Sequence, residues 1–300
     1  MKAVQLAAYG GVDQLSLAEW PRPEPGPGEV LLRIHASAVN PFDLLVREGI
    51  FAQFIPLPLP AVPGGDAAGT IEALGEGVQG YDIGDRVIAD FPTAGRGSHA
   101  EFGVISVNAI APLPDQLDFE HGAALPKAGL TGRQAVAALG VTAGERVLVS
   151  GALGSVGRAV LQQLQAIGAV PVAGVRADRL DEAAALGVEA IDLSDPADDP
   201  RFDRAIATAG SATSQLLGRV RDGGRVVSIV PVPEEDNAGG RVEVIQLYHQ
   251  TDAETLAQVA RDAAEGRLVI PIAATFPLEA LAEAHAAVAA GARGKVVLRH

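Results

Sequence analysis

The sequence predicts an α/β protein in two parts: a mainly-β first part, then an open, doubly wound parallel sheet. Three observations carry that prediction. Residues 1–115 read as short alternating runs broken by Gly, Pro and Asp, as strands joined by turns do. From about Leu117 strand and helix patterns alternate, as in β-α-β units. Between them, Arg146–Gly157 runs from an apolar segment through a glycine turn into a helix start, the layout of a dinucleotide pyrophosphate site.

Taken in order, Val30–Val39 alternates like a half-buried strand, and Thr70–Leu74 and Asp85–Ala89 are further short strands. Pro21–Gly28 and Phe54–Pro63 are turn-rich loops, the second placed on a ligand side rather than between domains. Arg146–Ser150 is a strand. The helix after it carries Val156, Val160, Leu161, Leu164 and Ile167 as one apolar stripe. Next come a strand at Val170–Val175, a helix at Leu180–Leu186, a strand at Phe202–Thr208, a helix at Ser211–Val220 and a strand at Arg225–Val230. Helices near Thr255–Glu265 and Leu278–Ala290 precede a last strand, Lys295–Arg299, expected to return to the first part. The expected division is 1–115, completed by about 266–300, and 116–265.

Three hundred residues, 48% hydrophobic, suffice for a packed core in roughly two domains. A net charge of −14 without any basic tract argues against nucleic-acid or membrane-surface binding. No apolar run reaches membrane-spanning length and no signal-peptide pattern opens the chain, so a cytoplasmic protein is expected. The chain has no cysteine, which removes disulfides, thiol nucleophiles and thiolate metal ligands together.

The turn itself is read as follows. Ala152, Gly154 and Gly157 keep the fingerprint spacing with alanine in first place, and Leu153, Ser155 and Val156 supply further backbone toward an anion at the helix N-terminus. About 20 residues on, Val175-Arg-Ala-Asp-Arg179 decides between a free ribose hydroxyl and an added phosphate. Arg176 and Arg179 offer forked donors, which outweigh Asp178 and favour NADP(H) over NAD(H). The alternative is that Arg179 pairs with Asp178, Asp181 or Glu182 on a solvated face. Ala209 and Ile229 fall at the ends of later parallel strands, where open sheets bind ligands.

Linked motifs then bring a family into view. Ala38-Val-Asn-Pro-Phe-Asp43, Val62-Pro-Gly-Gly-Asp-Ala-Ala-Gly69, Gly84-Asp-Arg-Val87, Ala123-Ala-Leu-Pro126, Gly129-Leu-Thr-Gly132, the fingerprint and Arg293-Gly-Lys-Val-Val-Leu298 occur in one order. That order resembles the medium-chain dehydrogenase/reductase superfamily, in its zeta-crystallin-like quinone oxidoreductase branch, over essentially the whole chain. The resemblance implies a GroES-like catalytic domain, a Rossmann cofactor domain, a cleft between them and a homodimer. Zinc-dependent members carry Gly-His-Glu where this chain has Gly64-Gly65-Asp66. With glycine there and no cysteine, zinc is not expected. His99 and Glu101 share a strand face but read as ordinary polar side chains.

Without a Lewis acid, reduction of a conjugated carbonyl is the easier chemistry, because hydride attack sends charge to an oxygen that a few donors can stabilise. The expected substrate is a small quinone or α,β-unsaturated carbonyl, reduced by NADPH. The resemblance places Asn40 near nicotinamide and substrate; the competing reading is a turn cap before Pro41. Asp43 reads as an N-cap for Leu44–Glu48. Thr131 matches a position near the cofactor. Lys127 stands where the motif commonly has a neutral residue: it donates a proton to the developing enolate, pairs with a cofactor phosphate, or snorkels at the surface. The Phe42 region, Ile50–Leu59 and Val242–Tyr248 are expected to line the pocket. Two alternatives stay open: an enoyl-thioester reductase, disfavoured by Pro41 where some of those enzymes have tyrosine, and a non-catalytic NADPH-binding protein.

Overall fold

The computed structural model describes residues 1–93, 95–195 and 201–300. The chain opens with an antiparallel pair, β1 (Lys2–Leu6) and β2 (Leu15–Glu19). Then follow β3 (Glu29–Val39), α1 (Pro41–Arg47), β4 (Asp66–Leu74), β5 (Arg86–Asp90), β6 (Phe102–Ser106) and β7 (Ile110–Pro112). Short α2 (Phe119–Ala123) and longer α3 (Pro126–Leu139) lead onward. The alternating run expected at Val30–Val39 forms the centre of the sheet, because Val30, Leu32 and Ile34 bury one face against Ile71, Val87, Phe91 and Ile110.

The parallel part contains β8 (Arg146–Ser150), α4 (Ser155–Ala166), β9 (Val170–Val175), α5 (Leu180–Ala184) and β10 (Glu189–Asp192). It continues with β11 (Phe202–Ala207), α6 (Thr213–Gly218), β12 (Val220–Ser228) and β13 (Glu243–Gln246). All six strands pair in parallel in the order β10-β9-β8-β11-β12-β13. Numbered within the sheet that order is 3-2-1-4-5-6, the doubly wound order, with its switch point between β8 and β11. Val147, Val149, Ala173 and Ile206 turn one face toward Val160, Leu161 and Leu164 of α4, while Leu148, Val172 and Ala205 pack on Leu216 and Leu217 of α6.

The remainder is α7 (Ala253–Ala264), β14 (Ile272–Pro277), α8 (Leu281–Ala289) and β15 (Lys295–Arg299). As expected, the last strand returns to the first sheet, pairing antiparallel with β3. That sheet runs β14-β15-β3-β4-β5-β7, with β6 on the free part of β3.

By compactness, the first unit is Met1–Lys127, Thr251–Gly266 and Ile270–His300, and the second is Ala128–Gln250 with Arg267–Val269. The changeovers at 127/128 and 250/251 differ from those expected near 115 and 265, because α2 and α7 pack on strands of the first sheet. Several helices are shorter than their sequence patterns, α5 ending at Ala184 rather than Leu186. The segment expected as Ser211–Val220 is helical only over Thr213–Gly218, since buried Val220 already pairs with Phe202 as the first residue of β12. Gly223 and Gly224, which lie just before the strand expected at Arg225–Val230, sit inside β12, at a register shift in its pairing with β11.

Candidate active site

In the second unit, the fingerprint turn lies at the carboxyl end of β8, beside the switch point. The tight turn is made by Gly151, at φ +63°, rather than by Ala152. A side chain at Gly157 would overlap the Gly151 carbonyl, so the helix can rest on the turn only without one. At Gly154 an added Cβ would stand 3.2 Å from the Gly151 oxygen, a tight contact with rigid backbone. The first intrahelical bond of α4 is Arg158 N–H to Gly154 O at 2.8 Å, which leaves the earlier amides of Ser155, Val156 and Gly157 for an anion. Buried Ala152 and Leu153 brace the turn from below. These residues fit a dinucleotide pyrophosphate.

Arg176, Ala209 and Ile229 follow directly or closely after β9, β11 and β12, at the same end of the sheet. Arg176 is exposed and pairs with exposed Asp178 at 3.3 Å, a pairing worth little in water. Arg179 is engaged differently: its Nε donates to Glu182 at 2.8 Å, and Arg158 reaches the same carboxylate at 3.4 Å. The pairing alternative for Arg179 is the one observed. Thr131, on α3, shares a hydrogen bond of 3.0 Å with His249 Nδ1.

The first unit assembles a cluster of charges. Asn40 precedes α1 in extended conformation, and its backbone N–H donates to Asp43 Oδ2 at 2.7 Å. Asp43 therefore lies inside the helix and reaches back, while Asn40 itself holds the capping position. Burial is the main reason that the Asp43 carboxyl is pushed up to about 6, opposed by its Asn40 hydrogen bond and by Lys295 and Lys127.

Asn40 is the hub. Its Nδ2 donates to Asp66 Oδ2 at 2.8 Å and its Oδ1 accepts from Lys295 Nζ at 2.6 Å. That fixes the amide's orientation, because a carboxylate only accepts and an ammonium only donates. Lys295 also pairs with Asp66 at 2.7 Å, and both are fully or nearly buried. The other Asp66 oxygen accepts from the backbone N–H of Lys127 at 2.7 Å.

The Lys127 ammonium turns to Asp90 Oδ1 at 2.5 Å and to the Phe91 carbonyl at 3.0 Å. Its side chain is 19% exposed, so it is neither a surface lysine nor buried throughout. The geometry brings together Asn40 and Lys127, both singled out from sequence, through Asp66. Asp66, Asp90, Lys295 and His249 were not singled out as site residues, although Asp66 and Lys295 sit in quoted motifs. Farther along, Phe42 stacks on Phe51 at 5.2 Å, and Phe42, Ile50 and Phe54 leave apolar surface exposed after α1.

Metal chemistry is tested by the same residues. At Gly65, an added Cβ would stand 2.7 Å from Lys127 Cε, so the lysine stem fills the space of any side chain there. Among the described residues no group of three or more His, Asp or Glu is placed to hold a metal ion. The donor set does not fit zinc.

With this geometry in place, the comparisons with known proteins define the class. Residues 26–115 match the alcohol dehydrogenase GroES-like domain, and residues 177–298 match the family model described as zinc-binding dehydrogenase. The quinone oxidoreductase of Rattus norvegicus is 31% identical, the match covering 99% of this chain and 97% of the relative. The solved quinone oxidoreductase from Coxiella burnetii superposes with a TM-score of 0.89 at 27% identity, covering 100% and 99% of the two chains. A solved structure described as an NAD-dependent alcohol dehydrogenase superposes with a TM-score of 0.87 at 30% identity over both whole chains. The fold and these matches define a nicotinamide-dependent oxidoreductase with a GroES-like domain and a Rossmann-like domain. Within that class, the chain belongs to the quinone oxidoreductase branch of the medium-chain dehydrogenase/reductase superfamily. No helix among the described residues is long and apolar enough to cross a membrane.

Proposed function

We propose that this protein is a zinc-independent, NADPH-dependent reductase of quinones or α,β-unsaturated carbonyls. The observation that carries the reading is the exchange at Gly65: a lysine stem occupies the space beside it, bringing an ammonium into the cluster that holds Asn40. When bound, the nicotinamide supplies a hydride to the electron-poor carbon of the acceptor. The electron pair displaced from the carbonyl π bond then rests on the acceptor oxygen. An oxyanion forming there is stabilised by donors already fixed in place. The Lys127 ammonium, ion-paired with Asp90 and hydrogen-bonded to the Phe91 carbonyl, gives a proton to that oxygen; the amine regains one from solvent. Asn40 keeps one amide hydrogen for the acceptor or the carboxamide, and Thr131 presents its hydroxyl from α3.

The pyrophosphate is held by the turn Ala152–Gly157, with Ala209 and Ile229 lining the same strand ends. Exposed Arg176 supports the choice of NADPH, since among the described residues its guanidinium pairs with exposed Asp178 and no buried group. Arg179 contributes less in this reading, being committed to Glu182. The exposed rings after α1 suit a flat apolar acceptor. The proposed state is a cytoplasmic homodimer, which sedimentation of the purified protein checks. The central test is steady oxidation of NADPH with a panel of quinones, enones and enoyl thioesters. Turnover on quinones or enones is expected; tight NADPH binding with no turnover on any of them would sink the reading.

A further inference from the structure

Asp90 ends β5, has no exposed surface, and meets two residues that are far apart in the chain. Its Oδ1 pairs with Lys127 Nζ at 2.5 Å and its Oδ2 accepts from Thr251 Oγ1 at 2.6 Å. Lys127 is the last residue of the first unit before the chain enters the second, and Thr251 is the first residue after Gln250 ends that stretch. One buried carboxylate therefore grips both limbs of this crossing on the first unit's side. Within the second unit the same limbs are paired again. Thr131 bonds to His249 at 3.0 Å, Gln134 donates to the Gln250 carbonyl at 2.6 Å, and Gln250 N–H returns a bond to Gln134 at 3.1 Å.

The lysine needs such a grip. An ammonium on a four-carbon stem has many rotamers, and a proton donor acts only when its geometry is held. Gly65 leaves room for the stem, the Phe91 carbonyl accepts one hydrogen bond from the ammonium, and the buried Asp90 carboxylate holds it as an ion pair. The other charges of this neighbourhood are Asp66, which receives the Lys127 backbone N–H, and Lys295 and Asp43 beyond it.

We propose that Asp90, braced by Thr251, is the positioning residue of the site: it holds the Lys127 ammonium so that one of its protons faces the acceptor oxygen. This rests on the reading in which Lys127 serves the reduction. In this role Asp90 exchanges no proton with the acceptor.

The test uses the full chain with Asp90→Asn, Lys127→Met, the double variant, and Thr251→Val. With NADPH and 1,4-naphthoquinone, Asp90→Asn is expected to lower kcat at least about tenfold while KM for NADPH stays within about twofold. Thr251→Val gives a smaller fall in the same direction. An unchanged kcat in Asp90→Asn, beside a damaged Lys127→Met, overturns the positioning role alone. Full activity in Lys127→Met overturns the reading beneath it as well. Unfolding of the cofactor-free protein supplies a readout apart from turnover. Lys127→Met strands a buried carboxylate and is expected to lower Tm by roughly 5 °C or more, with much of that recovered in the double variant. Purely additive losses would show that the two side chains are not coupled, and would overturn the proposal.

Discussion

In the second unit the surface prepared for a ligand is backbone, while in the first it is side chain. The turn after β8 needs a left-handed residue at Gly151, no Cβ at Gly157 and open amides at the start of α4. All of that lies within a dozen consecutive residues. The cluster in the first unit needs Asn40, Asp66, Asp90, Lys127, Thr251 and Lys295, with the Lys295–Asn40 bond spanning 255 positions. A backbone site tolerates any sequence that leaves it unfilled. A buried charge cluster fails when one partner is missing, because the remaining ion keeps its desolvation cost and loses its compensation.

The sharpest way to break this contrast is Lys295→Met. Asp66 keeps its donors from Asn40 and Lys127 but loses its cation, and a loss of about 3–5 kcal/mol is expected in urea unfolding. A loss below about 1 kcal/mol would show that hydrogen bonds alone hold the carboxylate.

Acid should act on the first unit before the second. Burial holds the His285 and His300 imidazoles down to about 4, and pushes His99 well below its usual value. In the window from 6.5 down to 4 the unfolded chain binds protons at these sites and the folded one does not, so stability is full above 6.5 and falls toward pH 4. Each of the two with a value near 4 contributes about 3 kcal/mol over that window. Asp43 works in the opposite direction. Its carboxyl, raised to about 6, makes the folded state bind more protons between about 4 and 6, so its contribution falls as pH rises through that range. At about 3 kcal/mol it is outweighed by the histidines together. Hydrogen exchange between pH 6.5 and 4 should therefore show β3, β4 and β15 losing protection before β8 and β11. Loss in the reverse order would contradict the assignment.

Gly157→Ala is expected to cost about 1–3 kcal/mol and most of the NADPH affinity, because the new methyl displaces α4 from the turn. Calorimetry with fluorescence titration measures both, and normal NADPH binding would count against the turn as the pyrophosphate site. The smallest effect is predicted for Arg176→Ala. NADPH binding weakens about tenfold, near 1.4 kcal/mol, with NADH binding and Tm unchanged, since the guanidinium has no buried contact to lose. Equal loss for both cofactors would remove its phosphate role.

What could be read in advance follows the same division. Val30–Val39, Arg146–Ser150 and the α4 stripe were legible because their burial pattern has the period of the backbone itself. Val220 was read as helix because the helical pattern before it continues for one residue past the point where pairing with Phe202 takes over. Asn40 left two readings open; the structure shows the cap at the start of α1 and, beyond both readings, bonds to Asp66 and Lys295. Arg179 left two as well, and it pairs with Glu182, only three residues on. Lys127 stood out as a departure from a motif, yet nothing near it in the chain names Asp90 as its partner.

The sequence by itself determined the two-part α/β fold, the glycine turn after β8 and the loss of a thiolate metal site, because each depends on local spacing or on a residue type that is wholly absent. Tertiary structure alone decided that Gly65 makes room for Lys127, that Asp90 holds it together with Thr251, and that Lys295 serves Asp66. Those pairings arise where β3, β4, β5 and β15 lie side by side, and strand order, unlike hydrophobic period, is written in no single stretch of the chain.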